Sequence, residues 1–175
     1  MSIVKPWDSG NVPGPVMAKI LNSKIAVELI REAKRPLLIV GADSAEVDVK
    51  GKKLIDYAVE LSKKIPLVTT ARVIREFVKR GIQPQGSMPL SNITDRLRDG
   101  EWMGLDGKGP YDLVIFMGIH YYFESQMLST LKHFAPAVRT ISLDRGYQPN
   151  ANFSFPNLRE ENWGEELEKI IKELG

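Results

Sequence analysis

The stretch KRPLLIVGADS, residues 34–44, decides the fold. Pro36 closes the helical segment before it, and Leu37 to Val40 run apolar without alternation up to Gly41. A strand with one face in water alternates apolar and polar side chains, whereas a strand covered on both faces does not. The run therefore reads as a central strand of a parallel sheet. YDLVIFMG, residues 111–118, reads the same way, and PLVTT (66–70) and VRTISLD (138–144) supply two more strands. A short edge strand is expected within residues 153–158.

Helical spacing fills the intervals. Ile25, Ala26, Leu29, Ile30 and Ala33 share one helix face, as do Leu54, Ile55, Ala58, Val59, Leu61 and Ile65. Thr70 is placed to cap a helix over 71–80, and a short helix is expected at 91–98 within the Gly/Pro-rich stretch 81–110. Another helix follows from about Tyr122 to His133, and Trp163, Leu167, Ile170, Ile171 and Leu174 mark the last one. Strands alternating with helices form right-handed crossover units. The expected fold is α/β: a Rossmann-like, doubly wound parallel sheet in a single domain over residues 21–175. Residues 1–20 hold Pro6, Gly10, Pro13, Gly14 and Pro15 and read as an irregular arm carrying Trp7.

Composition narrows the function. The chain of 175 residues is 43% apolar, with net charge +2 and acids and bases interleaved, so no clustered basic face points to nucleic acid. No apolar run reaches the ~20 residues of a membrane helix, and the start lacks the apolar core of a secretory signal, so a cytoplasmic location is expected. There is no cysteine, which excludes disulfides, thiolate nucleophiles and Cys-held Fe–S clusters in this chain. His120 and His133 lack metal-ligand spacing, so no metal site is expected.

Ligands of open α/β sheets bind outside the carboxyl ends of the strands. The candidate nucleotide-contacting residues are therefore Gly41, Ala42, Asp43, Thr69, Thr70, Gly118, His120 and Asp144. Glycines admit close approach, helix N-termini favour phosphate, and a strand-end aspartate can hold a ribose hydroxyl. Each has a plainer reading: Gly41 and Gly118 also suit tight turns, His120 a polar residue at a strand end, and Asp144 beside Arg145 an ordinary solvated pair. The fingerprint G-x-G-x-x-G is missing after the first strand, and GLDGKG, residues 104–109, has the order G-x-x-G-x-G before a strand. There is no Walker A sequence and no G-x-S-x-G elbow, and no catalytic residue is assigned.

KRPLLIVGADS, WMGLDGKGPYDLVIFMGIHYYFESQMLSTLKHFAP and TISLDRGYQPNANFSFPNL together make the chain similar to the epsilon-subunit family of the archaeal acetyl-CoA decarbonylase/synthase complex. The resemblance runs over nearly the whole chain. It implies a deoxyhypusine-synthase-like NAD/FAD-binding fold. It also implies association with a large Ni–Fe–S alpha subunit in an α2ε2 carbon monoxide dehydrogenase component, with metal clusters in that partner alone. The expected role is an accessory subunit that stabilises the large subunit, with FAD-linked electron transfer as an addition. The alternative is a free-standing NAD(P)- or FAD-binding oxidoreductase, for which His120 is the one nearby acid or base. Trp7, Trp102, Tyr121 and Tyr122 are the expected interface anchors.

Overall fold

The computed structural model describes residues 17–70 and 72–175. Along these the chain forms β1 (Lys19–Ile20), α1 (Ser23–Glu32), β2 (Pro36–Val40), β3 (Asp48–Val49), β4 (Lys52–Lys53), α2 (Leu54–Ser62), β5 (Leu67–Thr69), α3 (Ile74–Lys79) and β6 (Gly86–Ser87). It continues through α4 (Leu90–Arg98), β7 (Leu113–Met117), α5 (Tyr121–Phe134), β8 (Arg139–Ser142), β9 (Phe153–Ser154) and α6 (Glu160–Leu174). Seven parallel strands make one sheet in the order β1-β9-β8-β7-β2-β5-β6, and β3 and β4 form a small antiparallel pair.

From β2 the chain winds outward through β5 to β6, then crosses back to β7 and winds the other way. The two directions part between β2 and β7, which pair along their full length from Pro36 opposite Leu113 to Val40 opposite Met117. This is the topological switch point of a doubly wound sheet.

The unbroken apolar runs have the expected cause. Leu38, Val40, Ile115 and Met117 face a core closed by α1, α2 and α6, with Ala26, Ile55, Leu61 and Leu167. Leu37, Ile39, Val114 and Phe116 face the opposite core, closed by α4 and α5 with Ile93, Leu97, Leu128 and Leu131. Alternate residues of one strand enter different cores, so neither set is free to be polar. Trp163 is buried and its indole N–H donates to the Leu143 carbonyl at 2.8 Å, fixing α6 to the end of β8.

Local differences from the sequence expectation have physical reasons. Lys19 and Ile20, at the end of the stretch read as an arm, pair with β9 as the outermost strand, and residues 1–16, with Trp7, lie outside the described residues. The segment expected as a helix over 71–80 is helical only from Ile74. The Thr70 carbonyl accepts from Val73 N at 3.1 Å, and no side chain caps α3. The Gly-rich loop before β7 is held from outside: Arg35 pairs with Asp106 at 2.6 Å and lies 5.0 Å above the Tyr111 ring, while Trp102 packs 5.7 Å from Tyr111.

At the switch point the loops after β2 and β7 touch. A Cβ on Gly41 would collide with the Gly118 carbonyl oxygen and lie 2.6 Å from the Ile119 side chain. Gly118 has φ +66, and a Cβ there would lie 2.6 Å from that of Ser44. Gly41→Ala is expected to cost more than about 2 kcal/mol, because backbone rather than a flexible side chain must move. Gly100→Ala, where a Cβ meets nothing within 4 Å, is expected to stay within about 0.5 kcal/mol. Urea midpoints of the two variants check both; equal losses would contradict the close approach.

Candidate functional site

Three loops converge at the carboxyl ends of the central strands: 41–45 after β2, 118–120 after β7 and 143–148 after β8. Asp144, half-buried at the end of β8, accepts from the Gly118 N–H through Oδ1 at 2.8 Å and from the Ile119 N–H through Oδ2 at 3.3 Å. These two donors lie at the β7–α5 turn, where helix dipole and free N–H groups favour an anion. The chain supplies that anion from its own side chain.

Glu124 lies directly behind. It enters from the first turn of α5, fully buried, on the same helix face as Leu128 and Leu131. Its Oε2 accepts from Gln148 Nε2 at 3.2 Å, and the same amide donates to the Tyr121 carbonyl at 2.9 Å. Glu124 Oε1, Gln148 Oε1 and Ser142 Oγ have no hydrogen-bond partner of good geometry among the described residues. Glu124 and Asp144 line the same cleft close enough for their carboxyl groups to interact, an approach that two ionised carboxylates would oppose and one shared proton would turn into a hydrogen bond.

Burial, then the neighbouring Asp144 charge, pushes the Glu124 carboxyl well above the usual carboxylate range. Burial also raises Asp144, to about 6, against the lowering effect of the Gly118 and Ile119 N–H groups. The surroundings are acidic. A cleft of about 410 Å³ is lined by Asp43, Asp48, Glu124, Asp144 and Glu160, with Arg145 as the only cation among the described lining residues, and Tyr121 and Trp163 form walls. A second recess of about 250 Å³, on the other side of Ile119, is lined by Gly41, Ala42, Asp43, Thr70, Pro89, Leu90, His120 and Phe123.

The eight candidate residues therefore fall into two groups. Gly41, Ala42, Asp43, Thr70 and His120 gather around the smaller recess, while Gly118 and Asp144 line the larger cleft, and Asp43 borders both. Thr69 is buried, with an Oγ1 that finds no partner among the described residues. Glu124 and Gln148 escaped the sequence reading. Glu124 carried a usable signal, since an acid four and seven positions before Leu128 and Leu131 shares their inward face. Gln148, in a loop, carried none.

The fit of a dinucleotide is a matter of geometry. A diphosphate placed at the β7–α5 turn would need the Gly118 and Ile119 N–H groups, which Asp144 holds, and space beside Gly41, which Ile119 fills. Carboxylates around the larger cleft would repel it. The diphosphate does not fit at the switch point as the loops are folded; the smaller recess has room for a ring. Among the described residues, no group of three or more His, Asp or Glu side chains is arranged to hold a metal ion, and no helix is long and apolar enough to cross a membrane.

At the mouth of these recesses the first turn of α5 exposes aromatic rings. Tyr122 is 72% exposed, and Tyr121 and Phe123 are also exposed. Trp102 is half-buried against Tyr111 in its own domain.

Comparison with known proteins gives a consistent set of relatives. A family model described as CO dehydrogenase beta subunit/acetyl-CoA synthase epsilon subunit matches residues 2–171. The acetyl-CoA decarbonylase/synthase complex subunit epsilon of Methanothrix soehngenii is 43% identical over 155 residues, covering 87% of this chain and 81% of that protein. The subunit epsilon of Methanothermobacter thermautotrophicus is 36% identical over 172 residues, covering 96% and 95%. Subunit epsilon 1 of Archaeoglobus fulgidus is 40% identical over 156 residues, covering 88% and 82%. Among solved structures, a Sir2 mutant with a p53 peptide and NAD superposes with a TM-score of 0.50 at 13% identity, covering 87% of this chain and 98% of that one, and shares the fold.

The carboxyl pair has a signed pH consequence. Both groups titrate above their unfolded values, so their contribution to stability is complete below about pH 4 and is lost as pH rises through about 6 and beyond. Glu124→Gln, neutral at every pH, is expected to gain stability relative to the native chain between about pH 5 and pH 8, by on the order of 1–2 kcal/mol. Urea unfolding at the two pH values measures this; parallel behaviour of the two proteins would contradict the pair.

Proposed function

The chain belongs to the CO dehydrogenase beta subunit/acetyl-CoA synthase epsilon subunit family, and on that premise we propose that it is a non-catalytic accessory subunit of an acetyl-CoA decarbonylase/synthase complex. Its work in this reading is to bind and stabilise a large Ni–Fe–S subunit of the carbon monoxide dehydrogenase component, in an α2ε2 arrangement. The metal clusters reside in that partner.

The observation that carries the reading is the occupation of the Gly118 and Ile119 N–H groups by Asp144. Donors that would hold a nucleotide phosphate are used instead to fix the chain's own loops. Beside them Tyr121, Tyr122 and Phe123 project from α5, and exposed aromatic rings next to a rigid turn are favourable anchors for a protein partner.

A second reading adds a flavin. It is supported by the smaller recess, whose Leu90, Ile119 and Phe123 walls suit an aromatic ring. FAD would have to bind there with its diphosphate directed away from the β7–α5 turn. The same recess serves the alternative of a free-standing NAD(P)- or FAD-binding oxidoreductase, with His120 as its acid or base. Equilibrium dialysis of the isolated chain and of the assembled component against FAD and NAD separates these. Retention of neither removes both additions and leaves the accessory role.

The accessory role itself is tested at Tyr122. Tyr122→Ala is expected to weaken binding to the large subunit by about tenfold or more with little change in the chain's own stability. Trp102→Ala is expected to cost stability instead, about 2 kcal/mol or more, because that ring packs on Tyr111. Titration calorimetry with the large subunit, beside urea unfolding of each variant, checks the contrast. Unchanged affinity in Tyr122→Ala would remove this ring as an anchor.

A further inference from the structure

We propose that Glu124 and Asp144 form a proton-operated latch on the docking face: the shared proton holds the first turn of α5 in the form that presents Tyr121 and Tyr122, and loss of that proton weakens partner binding. The inference rests on the accessory-subunit reading for the identity of the partner, and on the geometry of the pair for the latch.

Five hydrogen bonds tie the 144–148 loop to residues 118–124. Asp144 takes the Gly118 and Ile119 N–H groups, Gln148 Nε2 donates to the Tyr121 carbonyl and to Glu124 Oε2, and the Tyr121 hydroxyl donates to the Tyr147 carbonyl at 2.9 Å. Tyr122 packs edge-on against Tyr121 with ring centroids 5.5 Å apart. The exposed rings are therefore positioned by the same short segment that the two carboxyl groups clamp.

Glu124 makes the clamp sensitive to its proton. It is fully buried, Oε1 has no donor of good geometry among the described residues, and Gln148 supplies the one such donor to Oε2, fewer than an ionised carboxylate takes from water. Asp144, in contrast, holds two backbone donors and tolerates charge. When the shared proton leaves, the repulsion falls on the Glu124 side, which is the first turn of α5. The groups facing the pair deepen the effect. Asp43 from the turn after β2, Asp48 from β3 and Glu160 from α6 are acidic; Lys53 pairs with Asp48 at 2.9 Å, and Arg145 is the cation among the described residues that line the cleft. His120, at the start of α5 with its ring 5.9 Å from that of Tyr122, is the competing source of pH dependence on the same face.

The test measures the affinity of the full-length chain for the large subunit from about pH 5.5 to about pH 8.5 in the native protein, Glu124→Gln and His120→Asn. The latch gives a dissociation constant that rises about fivefold or more across this range in the native chain and in His120→Asn, and stays within about twofold in Glu124→Gln. A pH dependence that survives in Glu124→Gln and vanishes in His120→Asn overturns the latch in favour of the histidine. A native affinity independent of pH overturns it as well.

Failure of any complex to form would count against the accessory role, and the latch is then read in the isolated chain. Carbon-13 NMR of the Glu and Asp carboxyl groups in the native protein is expected to show one of the pair still protonated above pH 6, with Tyr122 ring resonances shifting as it ionises. Two carboxyl groups fully ionised at pH 6, or Tyr122 resonances indifferent to the titration, overturn it.

Discussion

The carboxyl end of this sheet depends on one contact, Asp144 accepting the N–H groups of Gly118 and Ile119. A β7–α5 turn with free donors would be an anion site by default, since its N–H groups point outward and the helix dipole adds to them. With Asp144 in place the turn is neutralised from within. Gly118 can then take its left-handed conformation against Ser44, and Gly41 can come into contact with the Gly118 carbonyl. The closeness of the loops after β2 and β7 follows from that arrangement, and so does the division of the strand-end space into two recesses on either side of Ile119.

The same contact fixes the chemistry next to it. A carboxylate satisfied by two backbone donors is tolerated half-buried, but a second carboxyl group behind it is pushed well above the usual carboxylate range by burial and by the first one's charge. Glu124 is that second group. It binds the loop after β8 to the first turn of α5 through Gln148, so the electrostatics of the interior and the presentation of Tyr121 and Tyr122 outside belong to one hydrogen-bonded unit. The N–H groups of the β7–α5 turn, which could hold an anionic ligand, are here taken by a side chain of the same chain. That is the physical content of reading it as an accessory subunit, since a fold does not by itself fix a function.

The fold was legible in the sequence because the central strands are covered on both faces, so that Leu37–Val40 and Leu113–Met117 carry no polar residue to confuse the period. The two-residue strands at 19–20 and 86–87 were not legible. Their pairing comes from the neighbouring strand, and two residues carry no periodicity. The absence of a side-chain cap on α3 was also hidden, since a threonine before a helical pattern looks like a cap whether or not its hydroxyl is used. At the site, the strand-end rule brought Gly41, Asp43, Gly118, His120 and Asp144 together around the two recesses at the carboxyl ends of the strands. It could not show that Asp144 turns inward to the backbone, because a ribose ligand and a turn of the same chain ask for the same acceptor. Family resemblance supplied the expectation of a partner subunit, which no strand-end residue could.

The most direct measurement is hydrogen–deuterium exchange across residues 117–126, in the isolated chain, with saturating FAD, and in the complex with the large subunit. The account predicts that the Gly118 and Ile119 amides are already slow in the isolated chain, that FAD leaves them unchanged, and that the partner adds protection to Tyr121–Phe123. Fast exchange at Gly118 and Ile119 that FAD slows, with no protection of Tyr121–Phe123 by the large subunit, would contradict it and make the turn a nucleotide site.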